Sequence, residues 1–234
     1  MRLPAPLISA TLIRRYKRFL ADVQLQSGEE ITAHCPNPGA MTGLAEPGTR
    51  VLLSRSDDPK RKLAHTWQLS DVPGGLVGIN TNLPNAIVAE AVTAGHIPEL
   101  RFYAGLRREV KYGRNSRIDM LLEGGPDPRP AFVEVKNVHL CRTGGLAEFP
   151  DCATARGVKH LRELSEVAVQ GGRAVMFFLV QRMDCRRFAI AGDIDPVYAA
   201  ALEEARAASV ETLCYDCRIS PSEITVSGPC VIDI

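Results

Sequence analysis

The sequence has no apolar run long enough to cross a bilayer, and the short one near its start is broken by Pro4 and Pro6 and followed by charge. Neither a secretory leader nor a helical membrane anchor is expected. An excess charge of one sign is missing too. Lys and Arg number 28 against 27 Asp and Glu, a net charge of +1, so any surface for a polyanion must come from local clustering. There is no Gly-rich phosphate loop and no nucleophile motif, which leaves a sugar-binding or metabolic enzyme without a feature to rest on. The seven cysteines are scattered and odd in number. They do not make a disulfide framework, and they suit a reducing cytoplasm. Cys214 and Cys217 form a lone CxxC with no second pair at ligand spacing, the pattern of two small strand residues more than of a zinc site.

What is present is globular: 234 residues, 45% hydrophobic and 24% charged, enough for one large or two smaller domains. From Leu12 to about Ile79 five strand-like runs alternate with turn signals: LIRRYKRFLADVQL, SGEEITAHC, PGTRVLLSRS, KLAHTWQLSDV and GLVGIN. Five strands without a convincing helix predict a small barrel of the oligonucleotide-binding (OB) type. Strand pattern gives way to helix pattern near NTNLPN, which predicts a barrel domain over 1–84 and a second domain over 85–234. In the first run Tyr16 and Phe19 interleave with Arg14, Arg15, Lys17 and Arg18. Rings beside cations suit stacked bases and paired phosphates. The same residues also fit a solvated basic edge over a core Phe19. The loop 33–44 is rich in Pro, Gly and Asn, and offers His34, Asn37 and Met41 to a ligand or simply joins two strands. A second basic cluster, Arg107, Arg108, Lys111, Arg114 and Arg117, faces one acid, Glu109.

The second half centres on 114–138. In SRIDMLLE the period of two puts Ile118, Met120 and Leu122 on one face and Arg117, Asp119 and Leu121 on the other. AFVEVKNV alternates likewise, so Glu134 and Lys136 share a face. The linker GGPDPRP breaks both strands and lets them return antiparallel, which brings Asp119 beside Glu134. Adjacent carboxylates repel unless a cation sits between them, and hard oxygen ligands select Mg2+ or Mn2+. Lys136 then sits where a water next to that metal can be held, an arrangement suited to attack on a phosphodiester. Surface charges that neutralise one another across a strand pair fit the same spacing.

Around the motif run a helix NAIVAEAVTAG, a strand near LRREVKY, a helix over 153–170 with Val158, Leu161, Leu164 and Ala168 on one stripe, a buried strand RAVMFFLVQ, a further helix DPVYAAALEEARAAS and a strand VETLCYD. The order αβββαβ, with the acidic pair on the second and third strands, is that of the restriction-endonuclease-like PD-(D/E)XK fold. Arg156, Lys159 and His160 lie mostly off the apolar stripe near the helix start, placed for a phosphate. A solvated face with a Lys159–Glu163 pair is the other reading.

Taken together, RRYKRFLADV, HCPNPGAM, SRIDMLL, VEVKNV and FPDCATARGVKHLREL resemble the sugar fermentation stimulation protein A (SfsA) family over almost the whole chain. The resemblance implies an OB-like barrel followed by a PD-(D/E)XK nuclease-like domain, DNA binding without sequence preference, and a link to maltose metabolism. It implies Asp119 and Glu134 as metal ligands, Lys136 as the catalytic lysine and Glu90 as a supporting acid. Cys152 stands where a small residue such as Ala is usual. Two functions follow as expectations: a metal-dependent DNA nuclease, and a non-enzymatic DNA-binding regulator that uses the nuclease-like fold as a scaffold.

Overall fold

The computed structural model describes residues 1–113, 116–125 and 128–234. Arg114 of the second basic cluster, and Pro126 and Asp127 of the linker, lie outside the described residues. The N-terminal strands are β1 (Ile8–Tyr16), β2 (Leu20–Leu25), β3 (Glu30–His34), β4 (Arg50–Arg55), β5 (His65–Val72) and β6 (Gly75–Gly78). They pair in the order β3-β2-β1-β4-β5-β6, and a parallel contact of β3 with β5 at His34↔Thr66 closes the first five into an OB-like barrel. Alternate residues, among them Leu12, Val23, Ala33, Leu53 and Trp67, fill its interior.

The run read as one strand over 12–25 is a hairpin. Tyr16 pairs with Leu20, and between them Lys17 (φ 48°) and Arg18 (φ 62°) are both left-handed. No Gly or Asn marks this turn. One side-chain and one backbone hydrogen bond replace them: Arg15 Nε donates to the Arg18 carbonyl at 3.0 Å, and the Phe19 N–H donates to the Lys17 carbonyl at 2.7 Å. The four cations are therefore split between a strand and a turn tip.

The second domain comprises α1 (Pro84–Thr93), β7 (Gly105–Tyr112), β8 (Ser116–Glu123), β9 (Ala131–Val138), β10 (Leu140–Thr143), β11 (Leu146–Phe149), α2 (Ala155–Val169), β12 (Arg173–Val180), β13 (Arg187–Ile190), α3 (Pro196–Ala207), β14 (Glu211–Ile219), β15 (Ile224–Pro229) and β16 (Val231–Asp233). Its central sheet runs β15-β14-β12-β9-β8-β7, parallel across β9, β12 and β14 and antiparallel at both edges. The middle strand β12 is apolar from Ala174 to Val180 because it is covered on both faces. A smaller sheet, β10-β11-β13-β16, is built from strands of three or four residues, too short for their alternation to register in the sequence.

One face of the central sheet buries Met120, Leu122, Val133, Val135, Val175 and Phe177 under Ile87 and Val88 of α1 and under Leu52 and Leu69 of the barrel. The other buries Met176 and Phe178 under Val158, Leu161 and Leu164 of α2 and Leu202 of α3. The barrel is thus packed on the sheet, not hung from a linker. At Gly78 the approach is backbone to backbone. Its N–H donates to the Gln181 carbonyl at 2.9 Å, and an added Cβ would lie 2.6 Å from Gln181 Oε1. Residues 1–3, assigned above to the barrel, belong with the second domain. Leu3 is buried in the α/β core, its N–H donates to the Ser222 carbonyl at 2.8 Å, and Arg2 bridges Glu223 beside β15.

The strict alternation expected of β8 also fails at one point. Met120 and Leu122 pack on the α1 face, while Ile118 packs on the α2 face. Between the pairs Arg108↔Met120 and Val110↔Ile118 lies Glu109 with φ 54°, a left-handed residue that interrupts the ladder beside Asp119.

Candidate functional site

Four elements, β8, β9, α1 and α2, meet at that interruption. The ladder between β8 and β9 ends at Met120↔Val133, one step short of Asp119 and Glu134, so Asp119 turns into the gap. The Val135 N–H donates to its Oδ2 at 2.8 Å, and Asn85 Nδ2, from the first turn of α1, donates to its Oδ1 at 2.6 Å. Glu134 points to the α2 side, 2% exposed. Its Oε1 accepts from Lys136 Nζ at 2.6 Å and from His160 Nδ1 on α2 at a still shorter separation. Arg156 Nε donates to His160 Nε2 at 3.3 Å, which leaves the ring proton on Nδ1, directed at Glu134. Lys136 Nζ lies 3.2 Å from the same Nδ1.

The electrostatics separate the two acids. Burial, and then the charge of Glu134, push the Asp119 carboxyl up to about 6. Burial acts the same way on Glu134, but His160 and Lys136 outweigh it and hold that carboxyl below its ordinary range. Glu134 Oε2 is buried and, among the described residues, has no hydrogen-bond partner. Two further oxygens share that condition nearby: Tyr112 Oη and Glu163 Oε2. Burial, followed by the charges of Glu134, Glu163 and Asp119, raises the Tyr112 phenol. An unpartnered, anionic oxygen beside a second carboxylate fits a hard divalent cation, with Asp119 and Glu134 as the residues that would hold it.

Of the residues singled out from sequence, Asp119, Glu134, Lys136 and His160 converge, His160 as a partner of Glu134 and not as an open phosphate contact. Arg156 is exposed above them and Lys159 is exposed on the same helix, 3.7 Å from Glu163. Arg117 is exposed on β8, two residues before Asp119. Glu90 stands apart. Its carboxylate is 61% exposed and pairs with the Met1 amino group at 3.0 Å, because helix register turns it away from β8 while Asn85 faces Asp119. Arg14 pairs with Asp22 at 2.8 Å and lies over Tyr16. The Arg15 guanidinium donates to the carbonyls of Asn37, Gly39 and Ala40, whereas Lys17 and Arg18 are exposed. In the loop 33–44, Asn37 and Met41 are buried, not displayed. Cys214 and Cys217 pack on opposite faces of β14, so they do not share a ligand. Sequence reasoning missed Asn85, Tyr112 and Glu163. Asn85 reads there as a helix-start residue, and Glu163 as the i,i+4 partner of Lys159. Among the described residues no helix is long and apolar enough to cross a membrane.

Residues 13–79 match the SfsA N-terminal OB domain, and residues 82–223 match the sugar fermentation stimulation protein RE domain. A sugar fermentation stimulation protein homolog from Jannaschia sp. is 56% identical over 237 residues, covering 100% of this chain and 97% of the relative. Another, from Brucella ovis, is 58% identical over 224 residues, covering 96% and 94%. The solved structure of Pyrococcus furiosus SfsA in complex with Ca2+ superposes with a TM-score of 0.88 at 27% identity, covering 100% of this chain and 98% of that one. Fold, domain order and sequence agree, and the chain belongs to the SfsA family, the sugar fermentation stimulation proteins.

Proposed function

We propose that this chain is a cytoplasmic DNA-binding protein with a Mg2+- or Mn2+-dependent phosphodiesterase site, acting on DNA without sequence preference. The observation that carries the reading is the buried, unpartnered Glu134 Oε2 beside Asp119, with Lys136 on the same strand. That a relative was solved in complex with Ca2+ supports the binding of a hard divalent cation by a chain of this family. When bound, the cation would supply charge for a phosphodiester oxygen and acidify a water. The chain's own groups do the rest. Asn85 and the Val135 N–H fix Asp119, and His160, oriented by Arg156, keeps Glu134 ionised. Lys136 presents its ammonium to the attacking water or to the phosphate. Lys17, Arg18, Arg117, Arg156 and Lys159 are exposed cations for the backbone, which carries no base information.

One observation favours the regulator reading. The Lys136 ammonium already neutralises Glu134, and the His160 ring hydrogen-bonds to it, so the cluster is not a pair of bare like charges in need of a cation. The deciding experiment compares wild type with Asp119→Ala, Glu134→Ala and Lys136→Ala on single- and double-stranded DNA, alongside calorimetric titration with each cation. Loss of cation affinity in the first two, with Lys136→Ala retaining it but not cutting, supports the nuclease. Wild type that binds cation and DNA yet cuts nothing supports the regulator, and wild type that binds no cation removes the metal reading.

A further inference from the structure

Where the barrel meets the second domain there is a cleft of about 310 Å³, near the lower end of the roughly 300–1,000 Å³ that hold small organic ligands. Its floor lies at the end of the candidate catalytic strand: Asn137, on the opposite face of β9 from Lys136, and His139, just past the strand's last residue. One wall is the start of α2, where Thr154 caps the helix that carries Arg156 and His160. Pro38, from the barrel loop, and the Phe149–Pro150 segment give the cleft apolar sides.

Its polar groups are built in. Gln181 Nε2 donates to Asn137 Oδ1 at 2.6 Å, and Asn137 Nδ2 donates to His139 Nδ1 at 3.0 Å, so the ring proton sits on Nε2. His139 is 7% exposed. Its Nε2 is 3.2 Å from Asp151 Oδ2 but not in hydrogen-bond geometry, which leaves a buried donor without a partner at the cleft. Asp151 approaches the barrel loop so closely that a Cβ on Gly39 would lie 2.1 Å from its Oδ2. At the mouth Arg18 is exposed on a left-handed residue that Arg15 holds in place.

An anionic carboxylate inside the cleft repels phosphate, while apolar walls and an unused donor suit a flat heterocycle. The cation at the mouth suits the phosphate attached to it. We propose that this cleft takes one unstacked nucleobase of the DNA strand held at Asp119, Glu134 and Lys136, which makes single-stranded or locally unpaired DNA the preferred substrate. The cleft is far too small for a duplex. The inference rests on the DNA reading above and adds strandedness to it.

Cys152, exposed on the cleft rim, supplies the reporter. In a Cys141→Ser background, which removes the other partly accessible thiol, oligothymidylate should slow alkylation of Cys152 by N-ethylmaleimide. An abasic oligodeoxynucleotide of equal length, or an intact duplex, should slow it much less. Ala153→Trp, an exposed rim position that needs no core rearrangement, should weaken oligothymidylate binding by about tenfold and leave binding of the abasic strand nearly unchanged. Equal protection by the abasic strand or by duplex, or an Ala153→Trp protein that binds oligothymidylate as before, overturns the base pocket while the DNA reading stands. A wild-type protein that binds none of the three overturns both.

Discussion

Asp119 shows what the proposed cation site costs the fold around it. Folding raises its carboxyl from an ordinary 3.8 to about 6, so the folded, cation-free protein holds a proton that the unfolded chain has already released. The penalty is fully present above pH 6 and fades as pH falls toward 4, so the stability contributed by this site drops as pH rises through that window. A shift of about two units, already net of the hydrogen bonds from Val135 and Asn85, corresponds to about 3 kcal/mol; an amide at this position would regain only part of that, because its NH2 cannot accept one of those two bonds. Asp119→Asn should therefore stabilise the cation-free protein by about 1 kcal/mol at pH 7, with little gain at pH 4, in thermal denaturation followed by circular dichroism. A loss of stability at pH 7 would show that its hydrogen bonds outweigh its charge. Asp119, Glu134 and Lys136 were legible because alternation along two strands is a local property, and their identities survive any choice of partner. Glu90 was not: ten residues of α1 admit several faces, and only the packing of Ile87 and Val88 decides that Asn85 meets the site.

At the level of elements, the β1–β2 hairpin separates two jobs that one basic run had merged. Arg15 ties the turn to the loop 37–40 through four carbonyls, including its own hairpin's Arg18, while Lys17 and Arg18 project into solvent. Replacing Arg15 with Ala should cost about 1–3 kcal/mol in chemical denaturation. Replacing Lys17 and Arg18 with Ser should leave stability within about 0.5 kcal/mol, yet weaken DNA binding and lower the slope of log affinity against log salt by about one per lost phosphate contact. Unchanged DNA affinity in the double variant would remove the hairpin tip from the interface. The sequence presents this segment as one strand because its reversal is made by Lys17 and Arg18 in left-handed conformations, held by one side-chain and one backbone hydrogen bond and not by turn residues. The OB-like barrel was legible nonetheless: folding back the first run adds a strand, while the run read as the fifth, β6, lies outside the closure that β3 and β5 make.

Across the whole molecule, the two domains meet at Asp151, which lies beside His139 of its own domain and accepts from the Met41 N–H of the barrel. Burial would raise Asp151, but the His139 ring beside it, with the Met41 N–H from the barrel, takes its carboxyl down to about 2. A carboxyl held below its unfolded value contributes stability that is present above pH 4 and lost as pH falls toward 2. The shift of nearly two units is worth about 2 kcal/mol. Asp151→Asn should remove that amount at pH 7 and flatten the acid limb of a plot of stability against pH; an acid limb of unchanged steepness would place the sensitivity elsewhere. Gly39→Ala should act through the same contact, because its Cβ would meet Asp151 Oδ2 at 2.1 Å. Reduced cooperativity of unfolding in that variant, seen as calorimetric and van't Hoff enthalpies that no longer agree, would mark partial separation of barrel and sheet. None of this was readable in advance, since His139 and Asp151 sit in a stretch of very short strands, and the contacts of Asp151 with Gly39 and Met41 exist only where the barrel has docked.

Leu3 pairs with Ser222, and translation separates the two in time. At about 5–20 residues per second, the partner of the chain's first residues is made roughly 10–40 s after them. The barrel has all of its strands long before then. A ribosome stalled short of Ser222 therefore carries a finished barrel joined to a sheet whose β15 edge is missing, the form from which strand-to-strand aggregation begins.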